Sequence, residues 1–390
     1  MRQERFGPSS LRHGVVGTRP RLNAVDLLRG LVMALMALDH TRDFFSSGGW
    51  NPRDVTDPAL FLTRWITHFC APTFIFLAGL AAYLYGARGR SLAETSRFLF
   101  TRGLWLILIE FTVVKLAWTF SFNFDQLAAG VIWAIGASMV VLAALVYLPR
   151  VALAIVAVVL IVGHNLLDGI RAENLRSVGW VWYFLHQPGF VRLGNGTTVF
   201  VLYPLIPWIG VMAAGYALGP VMELDAEARR RQLLRLGAAI TAGFVLLRAT
   251  NLYGDPAPWT MGETWSATVL SFLNCEKYPP SLLFLMMTLG PALLLLAAFE
   301  NVRGRLAQWL TIYGRVPFFF YVTHLYLIHG LAVAFALAMY SSLSAETPAV
   351  ASGLAGVYLV WLFVLILLYP LCRWFAVLKQ NRTEWWLSYL

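Results

Sequence analysis

Charge is what this chain most lacks. Asp, Glu, Lys and Arg make up 13% of its 390 residues, about half the share usual in soluble domains. Lysine is nearly missing, with Lys115, Lys277 and Lys379 its only examples. With 59% of residues hydrophobic, a soluble fold would have too little polar surface, and an all-α, polytopic membrane bundle is indicated. Cysteine is scarce too: Cys70 and Cys372 fall in or beside apolar runs, and Cys275 alone in a loop excludes a disulfide between outer loops. The sequence also lacks a Walker loop, a GxGxxG between strand and helix, and a GxSxG elbow. It has no internal repeat and no low-complexity tract. No cleavable leader is expected, because the first apolar run follows a long basic arm and is interrupted by Asp39 and His40.

What is present is a series of apolar runs of spanning length, about 17 to 25 residues each. The expected spans number ten, with an eleventh left open: 25–45, 61–86, 99–120, 127–148, 151–167, 198–219, 235–250, 281–299, 312–340 and 349–372. The run at 312–340 is expected to tilt or break near Pro317. Arginine sets the expected orientation, since cytoplasmic loops near helix ends carry the basic excess. Arg2, Arg5, Arg12, Arg19 and Arg21 precede the first run; Arg88, Arg90, Arg97 and Arg102, then Arg229, Arg230, Arg231 and Arg235, then Arg303 and Arg305, follow at alternate loops, and Arg373, Lys379 and Arg382 close the series. Loops 46–60, 168–197, 251–280 and 341–348 are poorer in them. Both termini are therefore expected in the cytoplasm, with a basic arm at 1–24, a membrane domain at 25–372 and a tail at 373–390. This distribution accounts for the net charge of +10. A nucleic-acid partner would need one basic stripe interleaved with aromatics, and none is expected. Membrane lipids are the expected surroundings, and the arginine-heavy composition points to a bacterial plasma membrane.

The segment "DLLRGLVMALMALDHTRD" (26–43) breaks the apolar rule. On a helix Asp26, Arg29, Met33, Met36, His40 and Asp43 share one stripe. Arg29 and His40 lie about 16 Å apart along the axis and about 20° from superposition around it. Ionisable groups in a membrane segment are costly and normally face a bundle interior or a wet path, so the stripe is expected to border a passage. Arg29 offers a planar fork of donors for phosphate or a polarised carbonyl, and His40 can take and return a proton near neutrality. That combination suits group transfer. Either Asp43, one turn beyond His40, or Asp39, about 100° around the helix, is expected to orient the imidazole.

"RGLVMALMALDH" resembles the signature of membrane acyltransferases, an arginine and a histidine separated by ten residues. "RLNAVDLLRGLVMALMALDHTRDFF", "HFCAPTFIFLAGLAAYL", "CEKYPPSLLFLMMTLGPALLLL" and "YGRVPFFFYVTHLYLIHG" resemble the heparan-α-glucosaminide N-acetyltransferase-like branch. The resemblance implies transfer of an acyl group, usually acetyl, from cytoplasmic acyl-CoA to a sugar or glycan acceptor on the other side. His40 then matches the catalytic histidine, as general base or covalent carrier, with Arg29 its partner. The enzyme that names the branch has asparagine where His40 stands and a histidine farther on, near Asn51 here. On this reading Asp26, Arg29 and Arg315 hold the coenzyme, and Met33 and Met36 line its channel.

Acceptor-side candidates are His68, level with His40; Glu276, Lys277 and Tyr278 in "NCEKYPPS"; and His324, beside Tyr321 and Thr323. Lys277 either meets an acidic sugar or pairs with Glu276. Trp180, Trp182, Tyr183, His186, Trp259 and Trp265 either stack on sugars or form an interfacial belt. Glu110 and Lys115 are expected to face the bundle and to find different partners, being about 140° apart around a helix. His324 and His329, five residues apart, diverge where zinc-binding helices present histidines four apart, so no metal is expected there and His329 is assigned to structure. A homo-oligomer is left open. The competing class is a secondary transporter using the same ionisable groups as a proton or substrate path; a non-catalytic assembly partner is the third.

Overall fold

Segments this apolar must satisfy their backbone groups internally, and helices do this within one segment. A computed structural model describes residues 23–46, 55–194, 196–340 and 353–382, with Glu384 and Leu387. Asn51, most of the basic arm and of loop 46–60, and all of loop 341–348 lie outside the described residues.

The helices are α1 (Asn23–Phe45), α2 (Pro58–Thr67), α3 (Cys70–Gly86), α4 (Leu92–Ile109), α5 (Lys115–Thr119), α6 (Val131–Leu145), α7 (Arg150–Gly163) and α8 (Gly179–Leu185). They continue as α9 (Leu205–Ala217), α10 (Ala226–Thr250), α11 (Trp265–Leu273), α12 (Leu282–Ala298), α13 (Arg305–Arg315), α14 (Pro317–Tyr340) and α15 (Leu354–Asn381). Among the described residues six stretches are long and apolar enough to cross a membrane: Pro58–Gly86, Arg150–Leu167, Leu205–Glu223, Ala226–Thr250, Pro317–Met339 and Leu354–Asn381. Two shorter apolar helices, α6 and α12, accompany them.

Several apolar runs begin or end elsewhere than expected. The runs at 127–148 and 198–219 each open with a strand, β1 (Gln126–Ala129) and β3 (Thr198–Val201), and β3 pairs parallel with β1 and antiparallel with β2 (Gly189–Arg192). The expected all-helical bundle therefore carries a three-stranded sheet in the order β1-β3-β2. Ala129, Val191, Val199 and Val201 form its buried face, where branched side chains suit a pleated surface. The run at 312–340 breaks at Val316, with Pro317 opening α14; proline lacks the N–H that would continue a helix but fits its first turn. α10 starts at Ala226 behind an Asp225 cap, nine residues before the expected 235, and α15 runs past 372 to Asn381. Beyond 372 the helical spacing keeps Phe375 and Ala376 buried, and no glycine or proline stops the helix there.

α1 is the central helix, packed by α3, α12, α13, α14 and α15. Its contact with α13 is backbone on backbone: a Cβ at Gly30 would stand 1.7 Å from the Leu310 carbonyl oxygen, and one at Gly314 1.8 Å from that of Asp26. Small residues permit this approach where lipid supplies no hydrophobic drive. One rim of the bundle is tied by Arg29 to the Gly314 carbonyl at 3.0 Å, Tyr83 to Glu223 at 3.0 Å and Arg229 to Glu300 at 2.6 Å. At the other rim Arg64 meets Asp39, the Leu282 N–H meets Asn165, and Tyr253 donates to the Val162 carbonyl. The Arg29 rim and the His40 rim are thus the two ends of α1.

Candidate active site

His40 stands near the end of α1, where its ring meets the middle of α14. Its Nδ1 lies 2.7 Å from His324 Nε2, and the two rings are stacked with centroids 5.0 Å apart. His324 Nδ1 lies 2.8 Å from the Phe320 carbonyl oxygen. A carbonyl oxygen only accepts, so His324 donates from Nδ1; its neutral ring then accepts at Nε2, and His40 must donate from its own Nδ1. The chain of donors ends at His40 Nε2, which is left with its lone pair. Trp118 and Tyr321 wall the ring edge-on, at 5.0 and 6.1 Å between centroids.

Neither expected carboxylate orients the imidazole. Asp43 pairs with Arg42 at 2.7 Å. Asp39, turned around the helix as its position requires, takes Arg64 Nη1 on both oxygens at 2.6 and 2.7 Å, Thr67 Oγ1 at 3.0 Å and Arg42 at 3.0 Å. Arg64 reaches it from α2, whose start is fixed by an Asp57 cap and Pro58. Lys277 acts electrostatically on Asp39, His40 and His68. The His40 rim therefore gathers Arg42 and Arg64 on Asp39, with Arg42 also on Asp43, and carries the buried Lys277.

Lys277 and Tyr278 are held there by their loop. The Lys277 Nζ is 5.2 Å from the centroid of the Tyr278 ring, and Tyr278 packs on Tyr203 with centroids 5.4 Å apart. Glu276 turns its carboxylate to the Lys277 and Tyr278 N–H groups at 3.1 and 3.3 Å. Asp255 accepts from Glu276 N and Ser281 Oγ at 2.8 and 2.6 Å. The buried Arg248 donates to the carbonyls of Ala257, Ser271, Phe272 and Asn274. His68 is buried, tilted on Phe284 at 5.3 Å.

At the Arg29 rim, Arg29 donates to Asp26 at 3.2 Å and Arg315 approaches the same carboxylate at 4.0 Å. Asp26, Arg29 and Arg315 are thus brought together. The passage expected between the rims is closed: Met33 keeps 1% and Met36 6% of its surface accessible, against 9% for His40. Both methionines belong to the buried core.

Glu110 is buried in a π-helical turn, Glu110–Val114, and caps the start of α6 by accepting from the Gly130 and Trp133 N–H groups at 3.1 Å each. Lys115 donates to the Ser121 carbonyl. His329 stacks on Phe120 and Phe44 and meets the Ala117 carbonyl at 2.8 Å, a packing role. Sequence reading named His186 only among the outer-loop rings, and singled out neither Arg64 nor the cluster that His186 forms with His164 and Asp168, whose ligand-type atoms lie within 4.8 Å of one another. The available signals were an arginine inside an apolar run and a His-Asp spacing of four residues.

A family model described as heparan-alpha-glucosaminide N-acetyltransferase, catalytic, matches residues 21–249. The matched stretch contains Arg29, Asp39, His40, Arg64 and His68; Lys277 and His324 lie beyond it. No curated protein shows a significant match to the chain.

Proposed function

The chain belongs to the heparan-α-glucosaminide N-acetyltransferase catalytic family of membrane acetyltransferases, and from that premise we propose that it moves an acetyl group from acetyl-CoA at the Arg29 rim to a sugar or glycan acceptor at the His40 rim. The observation that carries this reading is the Phe320 carbonyl–His324–His40 chain, which leaves the lone pair of His40 Nε2 outside it, toward the end of the α1 stripe opposite Arg29. Six long apolar stretches together with α1, α4–α5, α6 and α12 make ten crossings, and the Arg29 rim, with its flanking arginines, faces the cytoplasm.

Arg29 and Arg315 hold the coenzyme's phosphates, to which a guanidinium offers parallel donors. The thioester reaches His40 once Met33 and Met36 swing aside, a motion suited to unbranched side chains. His40 Nε2 takes the proton from the acceptor's amine or hydroxyl as that group attacks the thioester carbonyl. The Lys277 ammonium offsets the negative charge that develops on the carbonyl oxygen. Collapse breaks the carbon–sulfur bond, and the imidazolium returns its proton to the leaving thiolate. His324 keeps the His40 ring in the tautomer this requires, as second partners do for other working histidines.

Purified protein in sealed vesicles, with labelled acetyl-CoA on the Arg29 side and an amino sugar on the other, should place the label on the sugar. His40→Ala should abolish the transfer. Uptake of intact sugar without the label would instead identify a transporter.

A further inference from the structure

We infer that His164, Asp168 and His186 form a divalent-cation site, of the nitrogen- and oxygen-ligated class that zinc prefers, at the His40 rim. His164 and Asp168 stand four residues apart: His164 opens the 3-10 turn His164–Leu167 that ends α7, and Asp168 follows it. His186 follows α8. Their ligand-type atoms lie within 4.8 Å of one another, and around a tetrahedral zinc such atoms stand about 3.4 Å apart. Side-chain adjustment of about 1 Å therefore closes the site.

The second observation concerns His164 itself. The residue is 1% exposed, yet neither Nδ1 nor Nε2 has a hydrogen-bond partner among the described residues. A buried imidazole without partners is unfavourable, and Nδ1 of the equally buried His186 is in the same condition. The third ligand is already positioned: Asp168 Oδ2 accepts from Asn165 Nδ2 at 2.9 Å, which leaves Oδ1 facing His186 Nε2 at 3.0 Å. Trp182 packs on the His186 ring, with centroids 5.4 Å apart. A cation would give His164 its partner and replace the His186–Asp168 hydrogen bond by shared coordination.

The site has a structural consequence. Asn165, between the two ligands of the turn, accepts from the Leu282 N–H at 2.9 Å at the start of α12, immediately after the loop that carries Lys277 and Tyr278. Metal binding would fix the end of α7, α8 and this loop to one another. The inference stands independently of the acyl-transfer reading.

The full chain, purified in detergent and stripped with a chelator, should take up one zinc per molecule in a calorimetric titration, and its melting temperature should rise with zinc. His164→Gln and His186→Gln should each lose both effects, whereas His324→Gln, in the other histidine pair, should keep them. Cobalt loading of the wild type supplies a readout that needs no variant: a strongly absorbing, low-coordinate visible spectrum supports the site. Absence of zinc uptake by the wild type, uptake unchanged in both variants, or a weak octahedral cobalt spectrum would overturn the inference.

Discussion

His324→Ala removes the acceptor of the His40 Nδ1–H while leaving His40 in place. The lost partner strands a buried N–H, which costs about 1–3 kcal/mol, and frees the ring to adopt the other tautomer, whose Nε2 has no lone pair to offer. At 1.4 kcal/mol per tenfold, kcat should fall about 10- to 100-fold. KM for acetyl-CoA should hardly move, because the lost interaction serves the transition state and not the bound donor. In His324→Gln the side-chain oxygen can accept in place of Nε2 and should restore much of the rate. The assay is label transfer from acetyl-CoA to an amino sugar at saturating donor. A His324→Ala rate within about twofold of wild type, or a His324→Gln rate no better than that of His324→Ala, would refute the tautomer argument.

Arg64→Ala removes one of two arginines from Asp39; with Arg42 still 3.0 Å away, the destabilisation should be about 3 kcal/mol in detergent unfolding, and a loss below about 0.5 kcal/mol would contradict the pairing. Gly314→Ala drives a methyl group into the Asp26 carbonyl and should cost about 3 kcal/mol or abolish folded yield, whereas wild-type melting behaviour would count against the α1–α13 approach. The Ser91 backbone N–H and hydroxyl hold the Glu94 carboxyl below its ordinary range at the α4 capping box, so its contribution is complete above the unfolded value of about 4.3 and is lost as pH falls through the lower folded value. Glu94→Gln should therefore lower the melting temperature at neutral pH and have no effect below that window; an equal loss at both would exclude the linkage.

Much of α1 was legible because a charge inside an apolar run is conspicuous. Asp26, Arg29, His40 and the run's length were enough to find the helix and its stripe. What the stripe meets was not legible, since that depends on residues far along the chain. The Arg29 contact at Gly314 is 285 positions away and the His40 contact at His324 is 284. The α1–α13 approach was hidden in the same way, because no local pattern announces the importance of Gly314. His324 stood out by its polar neighbours, but Arg64 did not, because its partner lies on another helix. The strands were hidden because Leu127–Ala129 and Thr198–Val201 head runs of spanning character, and a short apolar stretch reads alike as strand or helix.

The most direct test is a rapid-quench single turnover in reconstituted membranes, following labelled acetyl from coenzyme A to the amino sugar with and without His40. Transfer within one turnover by wild-type protein, and none beyond background in His40→Ala with folding intact, is the predicted result. Equal transfer by the two proteins would contradict the assignment of His40 Nε2 as the group that handles the proton.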